Sequence, residues 1–306
     1  MSSSEPFFSF VTATYNRANY LPELIRCMSR QTFSDFEIIV VDDGSTDNSL
    51  QILSSLAFKE PRLKIIQQEN KERGAARNNG IRNAKGTYIV FADSDDTFES
   101  NHLEKLHEGI VRNGYPDFLC NRFDMVRDGK HFDSAINKLP AGWYDYRLLL
   151  DGNILGMYHA IKRENPGLVF FEEDRKYAIL EDWMFNISNL RKSRIYLNDA
   201  LTYHLHDHDS RSMRSDQAEI ITRKFRALEW INRHVALSNE DTIRLSAHCE
   251  YFAAVHCQMD GRNSDSRKHL SAAFRMNGIR MKYVLLFLRS FAGKRLATLI
   301  ANIKKK

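Results

Sequence analysis

Over its first hundred positions the chain alternates short apolar runs with stretches whose apolar residues recur every three or four positions. Phe7 to Thr12, Phe36 to Val41, Leu63 to Gln67 and Tyr88 to Ala92 are the apolar runs. Short, and rich in β-branched and aromatic residues, they predict four strands. Tyr20 to Arg30 (Leu21, Leu24, Ile25 and Met28 on one face), Thr46 to Leu56 and Gly74 to Ala84 predict helices between them. Apolar strands alternating with helices make a parallel sheet covered on both faces. The expected class is α/β, a Rossmann-like, mostly parallel sheet flanked by helices, which takes ligands at the carboxyl ends of its strands. Asp117 to Met125 predicts a further strand, turning at Asp128-Gly129 into Lys130 to Phe132. Residues 134–176, punctuated by Pro140, Gly142, Gly152, Gly156 and Pro166, read as irregular. Asp216 to His234, Asn239 to Gln258 and Met281 to Ile303 predict helices, with Asn263-Ser264-Asp265-Ser266 as a connector.

Polar residues sit where that sheet would hold a ligand. The first strand runs into Thr14-Tyr15-Asn16-Arg17, the second into Asp42-Asp43, and the fourth into Asp93-Ser94-Asp95-Asp96. Asp47 fits a turn before a helix, with Ser45 or Thr46 as the cap. Asp93, Asp95 and Asp96 crowd three carboxylates into four positions, a repulsion that a hard divalent cation such as Mg²⁺ or Mn²⁺ would relieve. Neither GxGxxG nor GxxxxGK[ST] occurs, so a dinucleotide site and a P-loop are not supported.

The succession YNR (15–17), VVDDGSTD (40–47), AARNNGI (75–81) and KGTYIVFADSDD (85–96) resembles the inverting family-2 glycosyltransferases of GT-A fold. Each motif is weak alone; their order and spacing are specific. The match is dense over about 7–110 and reaches about 212 through later landmarks. The resemblance implies a nucleotide-sugar donor, most commonly a UDP-sugar, a divalent metal (Mn²⁺ or Mg²⁺) and inversion at the anomeric carbon. It implies that Tyr15 stacks near the base, with Thr14 and Arg17 beside it, that Asp43 accepts from the base edge, and that Arg77 lies near the nucleotide. Asp93 and Asp95 match the DxD element, Asp93 near the ribose and at the metal, Asp95 on the metal. Within Glu181-Asp182-Trp183, Asp182 is implied as general base with Glu181 positioning it; otherwise the two acids only complement a helix N-terminus. In YHLHDHDSRS (203–212), His206 best matches the histidine near the diphosphate, ahead of His204 and His208. A zinc centre of those three histidines is disfavoured, because an extended strand spreads them too far apart. Trp143, Tyr144, Tyr158 and Trp183 are stacking candidates, though such aromatics usually pack in cores. No QxxRW follows the acidic pair, which points to single-sugar transfer.

These landmarks divide the chain into a catalytic domain over 1–212 (nucleotide half about 1–110, acceptor half about 111–212) and a helical basic region over 213–306. Charge sharpens the division. The net charge is +5, yet Ser266 to Lys306 carries eleven Lys/Arg and no acid, leaving −6 on residues 1–265. Apolar residues between those bases, Val284, Leu285, Leu288 and Phe291 among them, fit a helix on an anionic membrane through 281–306, or one packed on the catalytic domain. No nucleic-acid motif accompanies the charge, so no nucleic-acid partner is expected. Cys27, Cys120, Cys249 and Cys257 lack a zinc or disulfide spacing, and MSSSEPFFSF lacks a basic, apolar leader. Both suit the cytoplasm, with peripheral membrane association through the basic end.

The leading expectation is transfer of one sugar from a nucleotide-sugar to the hydroxyl of a glycan or lipid-linked acceptor, as in cell-surface polysaccharide assembly. Sugar nucleotidyl transfer is the alternative enzyme, although Thr14-Tyr15-Asn16-Arg17 supplies no glycine-rich triphosphate loop. A non-catalytic nucleotide-sugar-binding module is the third reading.

Overall fold

The computed structural model describes residues 5–208 and 216–291. The chain divides into two compact units, Met1–Leu149 with Asn153–Asp209 and Leu150–Gly152 with Ser210–Lys306. The first unit begins β1 (Phe8–Thr14), α1 (Leu21–Ser29), β2 (Phe36–Asp42), α2 (Ser49–Ala57), β3 (Leu63–Gln67), α3 (Glu72–Asn83) and β4 (Tyr88–Phe91). It continues with β5 (Thr97–Phe98), α4 (His102–Arg112), β6 (Phe118–Arg127), β7 (Lys130–Asp133), β8 (Gly142–Tyr144), β9 (His159–Lys162), α5 (Glu181–Leu190) and β10 (Ile195–His206). These strands form one sheet in the order β3-β2-β1-β4-β9-β6-β10-β5, with β7 on β6 and β8 on β10.

The first four strands pair in parallel. Every residue of β2 is buried, as the apolar run from Ile38 to Val41 requires of a strand covered on both faces, and Glu37 at its start is held by the Ser9 hydroxyl at 2.7 Å. Beyond β4 the sheet is mixed: β9 runs antiparallel to both β4 and β6, while β6 and β10 are parallel. The β6–β7 hairpin turns on Asp128 (φ 51°) and Gly129 (φ 70°), the paired positive φ values that an Asp-Gly turn supplies. Of the aromatic candidates, Tyr158 and Trp183 are buried, and Trp183 donates its indole N–H to the Leu149 carbonyl at 3.1 Å.

Helix α3 carries the AARNNG motif and lies unusually close to the sheet. A Cβ at Gly80 would stand 2.3 Å from Val11 Cγ1 on β1, and one at Gly74 would stand 2.5 Å from the Glu172 carbonyl oxygen. The glycines therefore set the depth at which Arg77, between them, meets the strand ends. Gly80→Ala is expected to lower stability by about 1–3 kcal/mol through overpacking, read as a lower urea midpoint with unchanged m-value.

The second unit contains α6 (Gln217–His234), α7 (Asn239–Met259), α8 (Asn263–Asn277) and α9 (Met281–Arg289). Asn263 to Ser266 is not a connector: it is the first turn of α8, and the break lies at 260–262, where Gly261 has φ 75°. Its polarity is that of a helix start, with Asp265 in the first turn and Ser266 buried, its Oγ accepting from Gln258 Nε2 at 3.2 Å. Helix α9 buries Tyr283 and Leu286 with Ala254, Leu270 and Ala273, and leaves Met281, Leu285 and Leu288 exposed. The expected continuation to Ile303, and the basic residues from 294 onward, lie outside the described residues. No helix among the described residues is long and apolar enough to cross a membrane.

Candidate active site

Thr14 and Asp42 end β1 and β2 in register. The loops beyond them are tied together by Asn16, whose left-handed backbone (φ 51°) suits asparagine. Its Oδ1 accepts the N–H groups of Thr46 (2.8 Å) and Asp47 (3.3 Å), and its own N–H donates to Ser45 Oγ (2.9 Å). Ser45 and Thr46 thus serve this loop and do not cap α2, which begins after Asn48 without a side-chain cap bond. Asp47 accepts from the Ser49 and Ala18 N–H groups at 2.9 and 3.2 Å, a turn-making role. Asp43 is buried; Gln68 Nε2 (2.7 Å) and the Lys71 N–H (2.9 Å) donate to its Oδ1. Tyr15, next to Thr14 in sequence, is half exposed, while Thr14 Oγ1 and Asp42 Oδ1 are buried without a hydrogen-bond partner.

Arg77 joins two motifs far apart in sequence. Its Nη1 donates to Glu181 Oε1 and its Nη2 to Asp93 Oδ1, each at 2.9 Å. Against the opposing effect of burial, Asp93, Glu181 and Asp182 raise its pKa, so the guanidinium stays charged. The Phe171 ring lies 5.4 Å from it, and Arg73 Nε also approaches Glu181 Oε1, at 3.7 Å.

The three carboxylates of Asp93, Asp95 and Asp96 do not face one another unrelieved, contrary to the repulsion argument for a cation. Asp93 meets Arg77. Asp96 is buried and accepts from the Tyr203 hydroxyl (3.1 Å) and the His206 N–H (2.9 Å). Burial, then Asp96, raises the Tyr203 pKa and keeps that phenol a donor. Asp95 Oδ2 lies 2.9 Å from His208 Nε2 and 3.7 Å from Arg17 Nη2. Tyr20 completes this corner: it stacks on His208 at 5.6 Å, with the Arg17 guanidinium 5.4 Å from its ring centroid. The three alternating histidines diverge. His206 reaches Thr97 Oγ1 at 2.8 Å, and His204 reaches Asp124 at 2.7 Å, so it is His208 that meets the DxD element. Tyr20, Ser94, Asp95, His206 and His208 line a cavity of about 520 Å³, closed on one side by the hairpin tip at 127–129.

Asp182 opens α5. Burial and the adjacent Glu181 carboxylate push its pKa up to about 6 against the pull of Arg77. Asn153 Nδ2 (2.9 Å) donates to Oδ2 and the Trp183 N–H (2.7 Å) to Oδ1. The turn before it is strained: Ile179, a β-branched residue, holds φ 71°, an outlier that only a constrained site retains. Glu181 Oε2 is buried without a partner. Tyr20, Arg73 and Asn153 carried no motif signal, and Ile179 is unremarkable as a letter; only the folded backbone brings them here.

An α/β sheet with acidic and basic groups gathered at its carboxyl edge defines a ligand-binding enzyme class, and comparison with known proteins narrows it. Residues 9–163 match the family model "Glycosyl transferase family 2". The chain is 31% identical over 209 residues to glycosyltransferase GlyG of Streptococcus pneumoniae, covering 63% of this chain and 68% of that protein. Among solved structures, Staphylococcus aureus TarS 1-349 in complex with UDP superposes with a TM-score of 0.61 at 21% identity, over 87% of this chain and 78% of that one. Mannosyltransferase PcManGT from Pyrobaculum calidifontis, in complex with GDP-Man and Mn²⁺, gives 0.60 at 17% identity, over 93% and 79%. The chain belongs to glycosyltransferase family 2, and its fold is GT-A.

Proposed function

We propose that this glycosyltransferase moves a single sugar from a UDP-sugar to the hydroxyl of a glycan or lipid-linked acceptor, inverting the anomeric carbon, in cell-surface polysaccharide assembly at the cytoplasmic face of the membrane. The observation that carries the reading is Arg77, which ties Asp93 of the DxD element to Glu181 of the acidic pair. That link brings donor-side and acceptor-side chemistry within one side chain's length. Membership of a glycosyltransferase family disfavours the nucleotidyltransferase alternative. On this reading residues 1–212 are the catalytic domain, with the donor half ending near 110, and 213–306 are accessory.

Asp182 takes the acceptor proton as the acceptor oxygen attacks the anomeric carbon from the face opposite the diphosphate. The bond from that carbon to the diphosphate oxygen breaks, and its electron pair leaves with the nucleotide. A single displacement of this kind inverts the centre. Glu181 and Asn153 hold Asp182 in place. Thr14, Tyr15, Arg17 and Asp43 take the nucleoside, Asp93 the ribose, and Arg77 and His206 the diphosphate end. The donor set fits a divalent ion: carboxylate oxygens of Asp95 and Asp93 suit Mg²⁺ or Mn²⁺, and His208 Nε2 beside Asp95 adds a ligand that Mn²⁺ accepts. Held there, the ion would act as a Lewis acid on the leaving diphosphate.

Nucleoside diphosphate release from a panel of UDP-, GDP- and dTDP-sugars with Mn²⁺ tests this directly. Release from one UDP-sugar, lost on adding chelator, is expected; chelator-insensitive release would remove the metal. Asp95→Ala is expected to weaken donor binding at least about tenfold with metal present and to leave metal-free binding unchanged, measured by calorimetry.

The second unit supplies the membrane contact in this reading. Exposed Met281, Leu285, Leu288 and Phe291 lie near Arg280, Lys282 and Arg289, with no acid after Asp265. Vesicles containing phosphatidylglycerol are expected to co-sediment the protein and neutral phosphatidylcholine vesicles not to; Leu285→Glu with Leu288→Glu should abolish the difference.

A further inference from the structure

A second cluster of metal-ligating side chains lies on the sheet, apart from the groups assigned to the donor. Asp124 of β6 is flanked by His204 of β10, its register partner, and by His131 of β7. Asp124 Oδ1 lies 2.7 Å from His204 Nδ1, and Asp124 Oδ2 lies 2.7 Å from His131 Nδ1. The two imidazoles stand at 88° to one another with centroids 5.4 Å apart. One ligand atom from each of the three residues falls within 4.8 Å of the others. Ligands around a tetrahedral zinc lie about 3.3 Å apart, so modest side-chain rotation closes the set.

His204 carries the argument further. Its second nitrogen, Nε2, lies 3.1 Å from Glu99 Oε1, so carboxylate oxygens face both ring nitrogens. A neutral imidazole has one N–H to donate, and a carboxylate has none. Such a ring carries either two protons, or one proton and a metal. With a metal on Nδ1 and the Nε2 proton on Glu99, the arrangement is carboxylate–histidine–metal, the usual support of a ligating histidine. Asp124 and Glu99 together supply the two negative charges that balance a divalent ion.

We propose that Asp124, His131 and His204 bind a zinc-class divalent transition metal, with Glu99 orienting His204. The fold gives the site a purpose. Among the described residues strand β7 pairs only with β6, and it is exposed throughout, yet the tip of their hairpin, 127–129, lines the donor-side cavity. His204 is two residues, about 7 Å along the strand, from cavity-lining His206. A metal here fixes the hairpin to β10 and so holds that wall of the cavity. The site is independent of the donor-site metal, and the experiment separates the two.

Equilibrium dialysis of chelator-treated protein against Zn²⁺, with Co²⁺ absorption as the spectroscopic counterpart, counts the equivalents bound. One equivalent is expected to survive in Asp95→Ala and to vanish in His131→Ala, together with the visible Co²⁺ bands. His131 is largely exposed (side chain 59%), so its removal leaves the fold standing. Added Zn²⁺ should raise the melting temperature of the wild type by more than that of His131→Ala. Wild-type stoichiometry in His131→Ala, no equivalent left in Asp95→Ala, or equal zinc stabilisation of wild type and His131→Ala would each overturn the proposal.

Discussion

Asp182→Asn is expected to stop sugar transfer while leaving donor affinity within about twofold of wild type. The substitution keeps size and one acceptor oxygen, which can still take the Trp183 N–H, but it places an amide NH₂ where Oδ2 accepts from Asn153 and removes the proton-accepting carboxylate. General base catalysis contributes about 10²–10⁴-fold, so kcat should fall by that factor with KM for the donor little changed. The pH profile gives an independent check. Burial and Glu181 raise the Asp182 pKa to about 6, so the carboxylate is protonated below that pH and available above it. In the wild type kcat/KM for the acceptor should therefore rise with pH and level off above about 6, and Asp182→Asn should lose that limb along with the rate. A variant retaining both the limb and near-normal turnover would remove Asp182 as the base. A carboxylate raised this far is also a better acceptor at neutral pH than one at its ordinary value, which gives the buried pair its chemical sense.

Much of this site is legible in the letters, for definite physical reasons. Strands β1, β2 and β4 are almost wholly buried, so they are mostly apolar, with Ser9, Thr12 and Glu37 as buried exceptions, and clusters of polar residues follow their ends. Thr14, Asp43 and Asp93 stand at those ends. The Asp128-Gly129 turn was readable because it needs two positive φ values. What was not readable depends on long-range placement. Strand β9 is four residues, HAIK, inside an irregular stretch, and only pairing with β4 and β6 makes it a strand. Residue types alone suggested that the 93–96 acids need a cation. Arg77, Tyr203 and the His206 N–H, supplied from other elements, already meet two of them. Position in a motif favoured His206, whereas the β10 exit delivers His208 to Asp95. The strain at Ile179 has no sequence signature, since it belongs to how the chain is forced into α5.

Arg77 is the residue whose loss should be felt in both stability and chemistry. It is buried between Asp93 and Glu181, and Glu181 is itself buried with its other oxygen unpartnered. Removing the guanidinium in Arg77→Met strands a carboxylate in low dielectric, next to Asp182. Breaking a buried pair from one side costs about 3–5 kcal/mol, a large part of the roughly 5–15 kcal/mol that holds a domain together. The urea midpoint should fall accordingly. Glu181→Gln in the same chain removes the stranded charge, so the double variant should regain at least about 1 kcal/mol, a coupling that a simple packing role for Arg77 would not produce. Arg77→Lys should recover part of the stability but not the activity, because a single ammonium cannot span two carboxylates that the guanidinium holds on separate nitrogens. Additive losses in the cycle, or full activity in Arg77→Lys, would show that the link between the DxD element and the acidic pair is not what sets the geometry of the site.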